Sequence, residues 1–329
     1  MAGGRGAQPF NACRYGLVAG TGVLLGACSG PQSALDPAGR EAAEVATLLW
    51  VMLAGAAFVW LVVIGAALFG SRWQRQPLSE RGGLRIILWA GAVFPTLVLA
   101  LLLAYGLRLM PVLRAGEPAL TIHVSGEQYW WRVTYTGRDG ARIETANELR
   151  LPAGSAAEIL LDSADVIHSF WIPALAGKLD MIPGRTNRLV LHPERIGTYR
   201  GVCAEFCGRS HTFMAFPVVV MEPAAFEAWL AREAAPAVSA ADNGTFLANG
   251  CGGCHSVRGT AATGTIGPDL THLADRQMLG AGMFANTDEN RRRFVAEAEE
   301  VKPGSRMPSF KALPPADLDA ITAYLGSLR

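Results

Sequence analysis

The chain has little charge for its length. Only 17% of its 329 residues are charged and 50% are hydrophobic, whereas about 25% of the residues in a globular protein are charged. The formal net charge of +1 leaves no strong overall field that would attract nucleic acid. Six cysteines are too few for a disulfide-rich scaffold, and the composition also excludes collagen-like and disordered chains. Part of this chain is therefore expected to face lipid.

The N-terminal segment has the layout of a secretory signal peptide, which we predict to comprise residues 1–27. Arg5 and Arg14 precede an uncharged apolar run at 15–27, which is too short for a hydrocarbon core that needs about 20 residues. The run ends in Leu-Gly-Ala-Cys28, which resembles a bacterial lipoprotein cleavage box. We predict that Cys28 becomes the lipidated first residue of the mature chain. An ordinary signal peptide followed by a bystander cysteine is the alternative.

Two long apolar segments predict a transmembrane hairpin. Residues 45–70 carry no ionisable side chain, and residues 84–109 carry charge only at Arg85 and Arg108. Because neither segment contains Asp, Glu, His or Lys, we predict no proton relay of this chain's own within the membrane. Pro95 is expected to kink the second span.

The charges between the spans predict the orientation of the hairpin, which with its N-terminal linker occupies residues 28–110. The loop 71–83 holds three arginines and one glutamate. By the positive-inside rule this loop lies in the cytoplasm. Everything after residue 110, and the N-terminus of the mature chain, is therefore expected on the outer side of the membrane.

A β-rich domain is predicted at residues 111–234. Short segments rich in β-branched and aromatic residues alternate with turn residues, a pattern that indicates an antiparallel sandwich. The predicted strands are 120–124, 129–135, 157–161, 166–172, 188–191 and 216–221. A helix at 223–233 is expected to close the domain.

One loop of this domain carries a set of soft metal ligands. Cys203, Cys207, His211 and Met214 follow one another closely, and thiolate, imidazole and thioether ligands together suit copper. Two thiolates on one loop can bridge two copper ions, each of which then needs one histidine and one weak axial ligand. The second histidine must come from a distant strand, for which His168 is the best candidate. A disulfide or a thioredoxin-like cysteine pair is the alternative.

A second outer domain, at residues 242–329, follows an Ala/Pro/Ser-rich linker at 235–241. Cys251, Cys254 and His255 form a C-x-x-C-H run, which is typical of covalent c-type haem attachment. The alternatives are a chance match and a zinc site. Helices are predicted at 243–249, 288–300 and 315–328.

The haem iron would need a second axial ligand downstream, and a soft one is typical of cytochromes c. Met307 follows the attachment site by about fifty residues and precedes the last predicted helix, where class I cytochromes c, which this domain resembles, place that ligand. Met278, Met283 and His272 are the competitors.

From residue 43 to about 234 the chain resembles subunit II of the haem-copper cytochrome c oxidases. The motifs are the loop from Cys203 to Met214 and His168 in Asp-Val-Ile-His-Ser-Phe-Trp, followed by Gly-Lys-Leu-Asp-Met-Ile-Pro-Gly. The resemblance implies a cupredoxin-like sandwich and a binuclear copper A centre. Its side-chain ligands would be His168, Cys203, Cys207, His211 and Met214.

The resemblance also implies roles for two residues beside these ligands. Glu205 would bind copper through its backbone carbonyl, and its carboxylate would reach a magnesium ion at the border with subunit I. In the second domain, the resemblance to class I cytochromes c implies that the carbonyl of Pro268 holds the haem-ligating histidine.

An aromatic run of the family, commonly Gly-His-Gln-Trp-Tyr-Trp, is where electrons from cytochrome c are thought to enter. This chain reads Gly-Glu-Gln-Tyr129-Trp130-Trp131 at that point. Tyr129 replaces the first tryptophan of the family run, so Trp130 and Trp131 are also candidates. The plain alternative is that these aromatic side chains fill a strand face.

The order of the segments resembles the cytochrome-c-fused form of subunit II. It implies a multi-pass protein of the bacterial inner membrane with both redox domains in the periplasm. Electrons would pass from cytochrome c or another external donor to haem c, then to copper A, then to haem in subunit I. There oxygen would be reduced to water, coupled to proton translocation. The alternatives are the corresponding subunit of another terminal reductase, such as a nitric oxide reductase, and a copper-delivery or assembly factor.

Overall fold

The computed structural model describes residues 28–72, 78–112, 118, 120–137, 140–239, 241 and 243–329. The predicted signal peptide at residues 1–27 lies outside the described residues. Within them the chain forms a helical hairpin, a β-sandwich and a helical C-terminal domain. The three-part architecture expected from the sequence is therefore confirmed.

The hairpin consists of α1 (Arg40–Arg72) and a second long helix in three parts, α2 (Glu80–Ile86), a π-helical segment (Ile87–Val93) and α3 (Phe94–Val112). In the described part of the chain, these are the two helices long and apolar enough to cross a membrane. Their apolar side chains are exposed along the length of both helices. The chain is therefore a membrane-anchored protein whose other domains are exposed.

The irregularity that we expected at Pro95 takes the form of the π-helical segment. A proline has no amide hydrogen to donate, so the regular i to i−4 ladder cannot continue through it. The helix widens in the turn before Pro95, and the Phe94 amide donates to the carbonyl of Trp89, five residues back.

The sandwich has two five-stranded sheets, with strand orders β3-β2-β1-β5-β8 and β4-β10-β9-β6-β7. The strands are β1 (Leu120–Glu127), β2 (Trp130–Thr136), β3 (Arg142–Ala146), β4 (Leu149–Pro152), β5 (Ala157–Ser163), β6 (His168–Trp171), β7 (Leu179–Met181), β8 (Asn187–Leu191), β9 (Gly197–Cys203) and β10 (Ala215–Met221). Helix α4 (Pro223–Ala234) follows β10.

The strand pairing is mixed, which corrects the expected antiparallel sandwich. β1 pairs in parallel with β5, and β4 pairs in parallel with β10. The physical reason is that the chain leaves the first sheet after β3, next to Asn147 with its φ of 60°, and returns to it at β5, which then runs beside β1 in the same direction. Short alternating strands reveal that a sandwich forms, but not where the chain crosses from one sheet to the other.

Aromatic side chains fill the centre of the sandwich beneath the loop that carries the candidate copper ligands, residues 203–214, which we call the copper loop. The Trp131 ring lies 5.0 Å from the Phe216 ring, which stacks on Phe170 at 5.1 Å, measured between ring centroids. Each of these side chains is almost completely buried. This rigid packing fixes the strands that carry the candidate ligands.

The first turn of α1 is joined to the sandwich. The buried Glu41 carboxylate accepts a hydrogen bond from the His192 amide at 2.9 Å and lies 2.5 Å from Nδ1 of the same residue. Gly39 forms a β-bridge with Pro193 just before the helix begins. The sandwich therefore has a defined position at the N-terminal end of α1.

The C-terminal domain has its own core and small helices. They are α5 (Gly244–Ala248), α6 (Asp288–Ala296), α7 (Ala298–Val301) and α8 (Pro315–Ser327), with a two-stranded sheet of β11 (Met278–Leu279) and β12 (Phe284–Ala285). Phe246 of α5 packs on Tyr324 of α8, with ring centroids 5.2 Å apart. The helix expected at 288–300 is interrupted at Glu297, whose φ of −130° is not helical.

Candidate metal centres

The sequence-predicted copper ligands converge at one end of the sandwich. His168 begins β6 and Cys203 ends β9, so the antiparallel pairing of these strands brings the two side chains together. Cys207 follows on the connecting loop, His211 lies in a short 3-10 turn, and Met214 precedes β10. His168, Cys203, Cys207 and Met214 are buried.

The donor atoms of these residues are within contact distance of one another. Cys203 Sγ lies 3.8 Å from His168 Nδ1 and 3.9 Å from Cys207 Sγ. Cys207 Sγ lies 3.5 Å from His211 Nδ1 and 3.9 Å from Met214 Sδ. The two sulfurs are thus central, and each has its own histidine.

Glu205 has two predicted roles, copper binding through its backbone carbonyl and magnesium binding through its carboxylate. Its carbonyl oxygen lies 3.2 Å from Cys203 Sγ, on the inside of the loop. Its carboxylate points to the surface, 3.9 Å from Lys178 Nζ. The structure therefore separates the carbonyl, which belongs to the cluster, from a carboxylate available to another group.

Electrostatics favour a thiolate on one of the two cysteines. Contact between the two thiols lowers the pKa of Cys203 and raises that of Cys207. Burial pulls the pKa of His168 down, but hydrogen bonds to Cys203 and to Asp165 together raise it above its usual value. Asp165 Oδ1 lies 2.9 Å from His168 Nε2, which leaves Nδ1 facing the sulfurs. A carboxylate that holds the distal nitrogen of a metal-binding histidine orients the ring.

This set of donors fits a copper pair. Two thiols, two imidazoles and a thioether are the soft and borderline ligands that copper takes, and a backbone carbonyl can serve it as a weak additional ligand. Both cysteines are free, and their sulfurs lie at 3.9 Å, farther apart than the roughly 2.05 Å of a disulfide. The residues required by the binuclear interpretation lie together in one cluster, four of whose side chains are buried.

Gly126 on β1 allows the close approach of His168. A Cβ placed on Gly126 would lie 2.8 Å from Cδ2 of the His168 ring. We expect Gly126→Ala to displace the imidazole and weaken copper binding by roughly 10- to 100-fold, the typical effect of disturbing groups behind a metal ligand. Copper retained per chain after dialysis against a chelator measures this loss.

Gly177→Ala provides the matched control for Gly126→Ala, because an added Cβ at Gly177 meets no atom within 4 Å. The control should retain copper as the unmodified chain does. Equal retention by both variants would show that the approach of Gly126 to His168 does not matter.

The C-x-x-C-H run lies beside the main cavity of the C-terminal domain. This mostly apolar cavity of about 350 Å³ is lined by Cys251, Cys254 and His255. His255 Nδ1 lies 2.8 Å from the carbonyl oxygen of Pro268, the residue predicted to hold it. Burial lowers the pKa of His255, which favours the neutral imidazole that binds iron. An apolar cavity with two thiols and an oriented histidine fits a covalently attached haem.

Two of the methionines predicted as candidates reach this cavity. Met307 and Met278 both line it. Of the described side chains named as competitors, Met283 lies outside the lining, and His272 Nε2 lies 3.1 Å from the carbonyl oxygen of Ala235. Met307 and Met278 therefore remain as the two thioether candidates.

The three aromatic candidates occupy different places. Tyr129 and Trp130 line the cavity of the C-terminal domain, whereas Trp131 is buried in the sandwich core, 6.4 Å from the His168 ring. The Tyr129 hydroxyl accepts a hydrogen bond from the Arg209 amide at 2.9 Å. One side chain thus contacts both the cavity and the copper loop.

Sequence reasoning missed two residues that bring the centres together. Gln128 Nε2 donates to the carbonyl of Cys207 at 2.6 Å. Lys302 Nζ donates to the carbonyl of Phe213 at 2.9 Å. Gln128 could have been found from its place in the aromatic run, but no local pattern indicates the role of Lys302.

A membrane hairpin carrying a buried Cys-His-Met cluster and a C-x-x-C-H cavity defines an anchored redox protein with two centres. The family description "Cytochrome C oxidase subunit II, periplasmic domain" matches residues 137–222, and "Cytochrome c" matches residues 241–329. Cytochrome c oxidase subunit 2 of Alkalihalophilus pseudofirmus is 30% identical over 93% of this chain and 94% of that protein. The protein of the same name from Bacillus subtilis is 28% identical over 95% of this chain and 96% of its own length.

A solved structure, the periplasmic domain of subunit II of cytochrome oxidase from Bradyrhizobium japonicum, is 30% identical. The match covers 36% of this chain and 95% of that chain, with a TM-score of 0.34. From the relatives and the two family matches, the chain belongs to the cytochrome c oxidase subunit II family, the electron-transfer subunits of haem-copper terminal oxidases. The resemblance inferred from the motifs is thereby confirmed, and the two matched domains imply copper A and haem.

Proposed function

We propose that this chain is the cytochrome-c-fused subunit II of a terminal oxidase in the bacterial inner membrane. It passes electrons from an external donor through a covalent haem c and a binuclear copper A centre to haem in subunit I. Oxygen is reduced to water there, coupled to proton translocation. When bound, the haem iron and the copper pair each supply a one-electron couple; the chain's own residues hold, orient and enclose them.

Two sites of the chain divide this work. The copper pair is held by side chains of His168, Cys203, Cys207, His211 and Met214 and by the Glu205 carbonyl. Cys251 and Cys254 would attach the haem, and its iron would be bound by His255, which the Pro268 carbonyl orients, and by Met307. The Glu205 carboxylate, exposed beside the copper loop, is available for magnesium at the border with subunit I.

The observation that carries the proposal is the contact made by Tyr129. Its ring forms part of the cavity wall, and its hydroxyl accepts a hydrogen bond from the Arg209 amide, two residues after Cys207. Gln128 adds a direct hydrogen bond to the Cys207 carbonyl. A short route of covalent and hydrogen bonds therefore joins the cavity to a copper ligand. Tyr129 is the aromatic residue through which electrons enter the copper domain.

The site at which an external donor delivers its electron follows from the burial of Tyr129. This side chain is only 6% exposed, because it lies between the copper loop and residues of the C-terminal domain such as Gly304. A donor outside the chain cannot touch it. We therefore expect the donor to deliver its electron to the C-terminal domain.

In the proposed topology both redox domains lie on the outer side of the membrane. The arginine-rich segment 71–83 lies in the cytoplasm. The mature N-terminus, the copper domain at 111–234 and the haem domain at 242–329 lie in the periplasm. Cys28, which is exposed ahead of α1, becomes a lipid anchor after removal of residues 1–27.

The purified complex tests this proposal. We expect one covalent c-type haem and two copper ions per chain, a mixed-valence copper spectrum, and oxygen uptake with a reduced external donor. Absence of both the c-haem and the copper absorption would overturn the proposal. Reduction of nitric oxide without oxygen uptake would assign the chain to another terminal reductase, and freely exchangeable copper without turnover would indicate copper delivery.

A further inference from the structure

Hydrogen bonds join the copper loop directly to the haem domain. Ser210 Oγ donates to the carbonyl of Pro303 at 2.7 Å, and the Ala215 amide donates to the carbonyl of Ala281 at 2.9 Å. Ser210 and Ala281 are completely buried. The two domains therefore meet in a packed interface and not only through the linker at 235–241.

Lys302 lies at the centre of this interface. Its ammonium donates to the carbonyl of Phe213 in the copper loop at 2.9 Å and to the carbonyl of Gly280 in the haem domain at 2.5 Å. Phe213 lies between the copper-ligand candidates His211 and Met214, and Lys302 precedes Met307 by five residues. One side chain thus contacts the ligand loops of both centres.

The burial of this lysine distinguishes it from the others. The chain contains three lysines. The side chains of Lys178 and Lys311 are 46% and 67% exposed, whereas Lys302 is 3% exposed. Burial lowers the pKa of Lys302 to about 7. The free-energy cost of burying this amine must be offset by its hydrogen bonds. Those hydrogen bonds connect the two domains.

Removal of the Lys302 amine would leave two part-buried carbonyls without this donor. Loss of both hydrogen bonds would weaken the contact between the two loops and admit water. Tyr129 packs in the same interface, where a Cβ on Gly304 would come within 3.2 Å of its ring. Loosening of the interface at Lys302 would therefore also loosen the contact between Tyr129 and the haem domain.

We propose that Lys302 is a positioning residue that fixes the haem domain on the copper loop, and so fixes the separation between the two redox centres. The electron-transfer part of this role rests on the proposed function. The docking part rests only on the contacts between the domains, and the two parts have separate measurements.

The test compares Lys302→Met, which keeps the length of the side chain and removes its donors, with Lys311→Met in the purified oxidase. Hydrogen exchange of a peptide containing Ala215 reports docking, because that amide is bound to the haem domain. We expect exchange roughly tenfold faster or more in Lys302→Met and unchanged exchange in Lys311→Met. Electron transfer from haem c to copper should slow in Lys302→Met although both centres remain loaded. Lys302→Arg, which retains donors, should restore part of the protection from exchange and part of the electron-transfer rate.

The outcomes separate this inference from the proposed function. Unchanged exchange, or unchanged electron transfer, in a loaded Lys302→Met protein overturns the positioning role. If Lys302→Met does not assemble, the shorter, uncharged Lys302→Gln takes its place, and unchanged exchange in that loaded variant overturns the role equally. If the unmodified protein shows no transfer from haem to copper, the proposed function fails, and the exchange measurement still decides whether Lys302 docks the domains.

Discussion

Replacement of Cys203 by serine is expected to remove the copper spectrum and leave the c-type haem spectrum intact. Cys203 Sγ is close to His168 Nδ1, Cys207 Sγ and the Glu205 carbonyl, so its loss removes one of the two central donors. A serine hydroxyl is a hard ligand and a poor substitute for thiolate on copper. The loss of affinity should exceed the roughly 100-fold upper range for groups that only support a ligand.

Met214→Leu is the graded comparison for Cys203→Ser. Among the described ligand sulfurs, the one within contact distance of Met214 Sδ is Cys207 Sγ, at 3.9 Å. A thioether would be a weaker copper ligand than a thiolate. Its loss should change the copper spectrum and slow electron transfer while the chain keeps copper. Copper content and the near-infrared spectrum distinguish the two variants. Normal copper content in Cys203→Ser would refute the bridging role.

Met307→Ala is expected to lower the reduction potential of the haem. A thioether ligand favours ferrous iron and raises the potential, so its loss has the opposite effect. We expect a decrease on the order of 0.1 V or more, part of the roughly 0.8 V range over which axial ligands tune haem potentials. A spectroscopic redox titration of the purified protein measures it.

Met278→Ala is the matched control for Met307→Ala, because both methionines line the same cavity. The potential should remain near that of the unmodified protein when Met278 is replaced. A shift in Met278→Ala combined with an unchanged potential in Met307→Ala would assign the axial position to Met278.

The parts of the site that could be predicted are those with dense local patterns. Cys203, Cys207, His211 and Met214 lie within twelve consecutive residues, and their chemistry limits the metals that they can hold. His168 could be named from a distance because the loop needed one more histidine. The two membrane helices follow from composition alone, since long apolar runs have few other stable structures in an exported chain.

The parts that could not be predicted depend on contacts between distant residues. The parallel pairs of β1 with β5 and of β4 with β10 follow from the crossing of the chain between the two sheets, for which the strand pattern has no signal. Strands β3 and β4 contain charged residues on their exposed faces, which weakened the apolar pattern that identified the others.

The sequence also could not predict that the three aromatic candidates occupy different places in the structure. Tyr129 and Trp131 are only two residues apart, around the start of β2. Tyr129 nevertheless lines the haem cavity, whereas Trp131 is buried in the sandwich core. Lys302 is the extreme case, because its partner Phe213 lies 89 residues away. A single lysine in a polar loop carries no sign of burial until the second domain is docked.

Transfer of an electron from the haem to the copper pair within one chain would show directly that the two centres act in series. In the purified oxidase, a photoactivated reductant can place one electron on haem c, and the haem and copper bands can then be followed together. We expect copper to be reduced as the haem is reoxidised, at a first-order rate that does not depend on protein or donor concentration. Copper reduction that occurs only in proportion to external donor, while the haem stays reduced, would contradict it.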